Sequence, residues 1–89
     1  MGLDTVELLM DIEKVFDIVI SDAEAASVST VGEIANLIAE KVAERDSRNA
    51  TYEEFLPGLI DLLVREFRIP RQQINTTSHV VFDLGLAGC

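Results

Sequence analysis

The sequence predicts an all-α protein with three longer helices, one short helix and a long ordered loop. Apolar residues recur at helical spacing through most of the 89 residues. Four times an Asp, Ser or Thr stands three residues before a Glu at the head of such a run, the spacing of a capping box. Polar stretches and prolines separate the runs.

The first run opens with Asp4 three residues before Glu7. Leu8, Leu9, Ile12, Val15 and Phe16 then fall on one face, giving a helix over 4–17. The segment "DIVIS" is a short extended connector, from which Ile18 and Ile20 plug the core. Ser21 and Glu24 form the second box and open a short helical turn, "DAEAAS". Thr30 and Glu33 form the third and open a helix over 31–45, with Val31, Ile34, Leu37, Ile38 and Val42 on one face. The stretch "ERDSRNAT" is polar and aperiodic and serves as a linker. Thr51 and Glu54 form the fourth box. Phe55, Leu59, Leu62, Leu63 and Phe67 line the face of the last helix. Pro57 lacks an amide proton, so this helix either starts near Leu56 or is kinked in its first turn. It ends before Pro70, because a residue preceding proline avoids the helical region. Residues 68–89 are loop-like, with Ile69, Ile74, Val80, Val81, Phe82 and Leu84 as apolar anchors among turn formers.

Composition narrows the function. The chain is long enough for one domain with one modest core, and 48% apolar residues suffice to pack it. Seven basic residues against 16 acidic ones, a net charge of −9, leave little for a basic nucleic-acid-binding face. They suit solubility or docking onto basic partners. No apolar run is long enough to span a membrane, and no secretory signal is expected. The single cysteine, Cys89, cannot form an internal disulfide and fits a reducing cytoplasm. The one histidine, His79, has the setting of a loop or cap residue. The glycines of "DLGLAG" lack the Lys-Ser/Thr of a phosphate cradle, and the carboxylates lack calcium-loop spacing. No catalytic constellation is visible, so the chain is not expected to be an enzyme.

Two long segments resemble acyl carrier proteins, but in permuted order. "LDTVELLMDIEKVFDIVISDAEAASVSTVGEIANLIAEKV" is similar to that family's second, third and fourth helices. "FLPGLIDLLVREFRIPRQQINTTSHVVFDLG" is similar to its first helix and the long loop after it. The resemblance implies a four-helix bundle with permuted connectivity, one carrier-like domain over 1–89. Within it, 1–45 resembles family helices two to four, 46–51 is a linker, and 52–89 resembles family helix one and its following loop. It also implies a role in fatty acid, lipid or polyketide biosynthesis.

In the family, a serine in an Asp-Ser-Leu motif carries a phosphopantetheine arm. Here Gly88 falls on the serine position when the C-terminal piece is followed, and Gly2 when the N-terminal piece is followed. Ala87 or Met1 stands in place of the aspartate. No attachment residue is therefore evident, and no cofactor is expected on this chain. The helix that docks partner enzymes is retained. Asp4, Val6, Glu7, Met10, Asp11 and Glu13 match positions the family uses to meet basic patches on biosynthetic enzymes. Two alternatives stay open: a functional carrier whose group is attached at a site not evident in the chain, and a non-carrier helical interaction module. A helix-exchanged or Cys89-linked dimer is also open.

Overall fold

A computed structural model describes residues 3–78, with side chains from Val6 onward. Four α-helices follow one another: α1 (Leu3–Phe16), α2 (Asp22–Ser27), α3 (Val31–Asp46) and α4 (Tyr52–Phe67). A single 3₁₀ turn (Arg71–Gln73) follows α4. No strand occurs among the described residues, so the protein is all-α, with three long helices and one short one. Of the loop expected over 68–89, residues 79–89 lie outside the described residues, and with them His79, Val80, Val81, Phe82, Leu84, Gly88 and Cys89. Met1, Gly2 and the side chain of Asp4, hence the Asp4–Glu7 capping box, lie outside them too.

The second and third capping boxes form as expected. Glu24 N donates to Ser21 Oγ at 3.2 Å while Ser21 N donates to the Glu24 carboxylate at 3.0 Å. Glu33 N donates to Thr30 Oγ1 at 3.2 Å while Thr30 N donates to the Glu33 carboxylate at 3.0 Å. The fourth does not form. The Glu54 amide donates to Thr51 O rather than to its hydroxyl, and Arg48 takes the Glu54 carboxylate at 2.5 Å, the group that would close the other half of the box. An ion pair with a guanidinium outcompetes a neutral amide for that acceptor. The helix nevertheless starts at Tyr52 and carries Pro57 inside it, so the expectation of a start near Leu56 is corrected. Only the Pro57 bond to the carbonyl of Glu53 is lost, and that carbonyl belongs to an exposed first turn that water can serve.

Each long helix stops at a non-glycine residue in the left-handed conformation: Asp17 (φ 54°), Ser47 (φ 53°) and Arg68 (φ 56°). The residue after each turns its amide back onto the helix end: Ile18 to Glu13 O, Arg48 to Ala43 O and Ile69 to Leu63 O. Ile18 and Ile69 are thereby thrown into the core, the apolar partner such a helix end usually recruits.

One core joins all four helices. Leu8, Leu9 and Ile12 of α1, Ala25 of α2, Val31, Ile34, Ala35, Ile38 and Val42 of α3, and Leu59, Leu62 and Leu63 of α4 are buried together. Each fully buried Leu or Ile contributes about 1.5–3 kcal/mol. Phe16 and Phe55 meet edge to face, ring centroids 5.9 Å apart. Val15, expected on the buried stripe, is 56% exposed. At 3.6 residues per turn it lies roughly 70° from the stripe's centre, at the margin of what a neighbour can cover.

The loop after α4 closes onto the start of α3. Val31 N donates to Ser78 O at 3.0 Å, and Gly32 N to Thr76 O at 2.9 Å. These bonds satisfy two of the amides that a helix start leaves without intrahelical partners. Ile74 and Ser78 are buried at this joint, and Ser78 Oγ donates to Gln73 O while accepting from Asn75 N. Gly32 is required there: a Cβ would stand 2.8 Å from Thr76 O.

Candidate docking face

The exposed side of α1 follows from the same periodicity that buries Leu8, Leu9 and Ile12. Val6 and Met10, one turn apart, are 40% and 50% exposed. Glu7 is exposed beside them and Asp11 half-buried. Among the described residues, neither Glu7 nor Asp11 forms a hydrogen bond or ion pair, unlike Glu24, Asp46, Glu54 and Asp61. Glu13 is held differently. Its carboxylate accepts from Ile20 N at 2.9 Å, which ties the connector to α1.

Val6 and Met10 form a ridge between two clefts. On one side, Val6, Leu9, Met10 and Glu13 face Ile20, Asp22 and Ala25 across a cleft of about 140 Å³. On the other, Glu7, Met10, Asp11 and Lys14 face Glu66 and Phe67 of α4 across about 320 Å³. Sequence spacing finds the α1 residues; it gives no sign of Glu66 and Phe67, which tertiary packing alone brings there.

Two cations of α3 hold the elements that frame the ridge. Lys41 pairs with Glu24 of α2 at 2.5 Å. Its hydrogen bond, followed by the Ser21 amide, pulls the Glu24 carboxyl down to about 2. Arg45 Nη1 donates to Phe16 O at 2.7 Å and Asp17 O at 2.6 Å, capping the exposed carbonyls at the end of α1. Asp46, hydrogen-bonded to that guanidinium, raises the Arg45 pKa further.

The arrangement sets two exposed apolar side chains beside carboxylates that pair with nothing among the described residues, on supports braced by cations. The acyl-carrier family model matches residues 1–53, more than half of the chain. The chain belongs to the acyl-carrier family. It is 59% identical over 40 residues to an acyl carrier protein of Picosynechococcus sp., covering 45% of this chain and 49% of that protein. It is 40% identical over 44 residues to an acyl carrier protein of Amoebophilus asiaticus, covering 49% of this chain and 55% of that one. The chain spans about half the length of the curated relatives it matches. No solved structure matches it. Acyl carriers are non-catalytic, and their family normally carries phosphopantetheine and serves biosynthetic enzymes. No helix among the described residues of this acyl-carrier chain is long and apolar enough to cross a membrane.

Proposed function

We propose that this chain is a circularly permuted acyl-carrier domain of fatty acid, lipid or polyketide biosynthesis. It docks enzymes through α1 and lacks a phosphopantetheine arm of its own. The observation that carries the reading is the joint between the two pieces. Residues 52–78, which resemble the family's first helix and following loop, pack on the core built by 3–46 and hydrogen-bond to the first turn of α3. This supports a single domain over 1–89, with 46–51 joining the family's usual ends. A bundle buries the same faces in either chain order when the joining loops are exposed.

The arm does not fit the residues available. Gly88 and Gly2, at the expected serine position, have no hydroxyl to esterify. Elsewhere, the hydroxyls of Ser21, Ser27 and Ser78 serve the chain's own backbone and Ser78 is buried, while Ser29 and Ser47 stand outside an Asp-Ser-Leu motif, Ser47 at the end of α3 rather than at the start of a helix. Docking rests on Val6, Glu7, Met10 and Asp11, with Asp4 and Glu13 at the margins. A small apolar anchor ringed by free charge suits steering by a basic partner surface. The reducing cytoplasm suits its lone thiol, Cys89.

The test is intact mass after incubation with coenzyme A and a promiscuous phosphopantetheinyl transferase, with an authentic carrier labelled in parallel. An unchanged mass is expected. A gain of one phosphopantetheine, mapped by fragmentation to a serine, overturns the armless reading and restores a loaded carrier.

A further inference from the structure

We infer that the docking surface is not confined to α1 but continues across the larger cleft onto the end of α4. There Glu66 and Phe67 help to receive an arginine carried by a helix of the partner. The inference rests on the docking role proposed for α1.

The cleft between α1 and α4 is lined mostly by polar and charged groups, with Met10 and Phe67 as its apolar patch. Met10 is half exposed, and Phe67 is partly buried against the core. Glu7, Asp11 and Glu66 supply three carboxylates around them, against one ammonium, Lys14. Glu7, Asp11 and Lys14 form no ion pair among the described residues. Among the described residues Glu66 pairs only with Arg65, at 3.9 Å, in a pair exposed on both sides. Such a pair is nearly free to exchange partners. An occupant therefore needs an apolar stem and a cationic head. Arginine meets both needs: its methylenes lie over Met10 and Phe67, and its planar guanidinium can be shared by facing carboxylates. Lysine offers a single point charge with stronger hydration and fits the rim less well. The volume, about 320 Å³, accommodates such a side chain with water. The cleft on the other side of the ridge, about 140 Å³ and lined by Leu9, Ile20 and Ala25, suits an apolar neighbour of that arginine. A partner helix presenting arginine beside leucine would thus straddle Met10.

The experiment titrates the full chain with a synthetic amphipathic helical peptide bearing arginines on one face and leucines on the other. Binding is followed by amide chemical shifts. Shifts are expected at Val6, Glu7, Met10 and Asp11 and also at Glu66 and Phe67. Glu66→Gln is expected to weaken binding about threefold. Glu53→Gln, an exposed carboxylate at the other end of α4, is expected to change it little. The same peptide with lysines is expected to bind more weakly. Shifts confined to α1, or equal effects of the two substitutions, overturn the α4 extension and leave docking through α1 standing. No shift on α1 at any peptide concentration overturns the docking reading itself.

Discussion

Replacing Gly32 by alanine sets two effects of known sign against each other. In a helix, alanine is favoured over glycine by about 0.5–1 kcal/mol, so an unobstructed site would gain stability. Here the new Cβ stands 2.8 Å from Thr76 O and 3.3 Å from Thr76 Cβ. The first neighbour is backbone and cannot rotate away. It is also the acceptor of the Gly32 amide at 2.9 Å. Relief requires the 74–78 loop to lift, which strains the bonds to Val31 and Gly32 and disturbs the buried Ile74 and Ser78. Forced overpacking of this kind costs about 1–3 kcal/mol, so the clash wins and the net loss is about 1 kcal/mol. In a domain of this size that lowers Tm by about 4–8 °C. Gly58→Ala is the internal control. Its Cβ would lie 3.2 Å from the tip of the Phe16 ring, which can tilt, so the propensity gain should roughly offset the crowding. Thermal and urea unfolding of the two variants beside the parent provide the assay. A Tm for Gly32→Ala at or above the parent's would refute the reasoning. It would mean that the loop after α4 does not rest on α3, and the permuted single-domain reading would lose its main support.

Other expectations follow from the caps, the ion pairs and the core. The Glu24 carboxyl is lowered from 4.5 to about 2. A depressed folded pKa stabilises above the unfolded value and loses that contribution as pH falls through the folded one. The stability gap between the parent and Glu24→Gln should thus be full above pH 4.5 and close toward pH 2 in urea unfolding at stepped pH. A gap independent of pH would contradict the Lys41 pairing. Arg45→Ala removes two hydrogen bonds to Phe16 and Asp17 carbonyls and should lower stability in urea unfolding, with faster amide exchange at Ile18. Ser47→Gly relieves a left-handed residue and should gain a few tenths to about 1 kcal/mol in the same unfolding assay. Leu59→Ala empties a fully buried position and should cost about 2–5 kcal/mol, seen as loss of a cooperative transition.

Much of the fold could be read along the chain because amphipathic spacing dictates it. Val31, Ile34, Leu37, Ile38 and Val42 are buried as their spacing requires, and Ser21 and Thr30 cap as expected. The misreadings share a cause: a residue outside the local window intervened. Arg48 diverted Glu54 from Thr51. Val15 sat at the edge of its stripe, where cover depends on a neighbour. The helix ends fall within a residue or so of where spacing and Pro70 put them, but the left-handed caps at Asp17, Ser47 and Arg68 carry no glycine to mark them. At the candidate site, Val6 and Met10 were legible as apolar residues off the buried face. The engagement of Glu13 by Ile20, and the approach of Glu66 and Phe67, required the fold.

The joint between loop and helix has an evolutionary consequence. It is made backbone to backbone, by the amides of Val31 and Gly32 and the carbonyls of Ser78 and Thr76. Its bonds do not pass through the side chain of Thr76. Mutation can rewrite Thr76, which is exposed, without loosening it. Beyond the buried Ile74 and Ser78 that shape the loop, the position facing the carbonyl is constrained, and there the constraint is to have no side chain at all. Lineages sharing this arrangement should drift freely at 76 while holding glycine at 32.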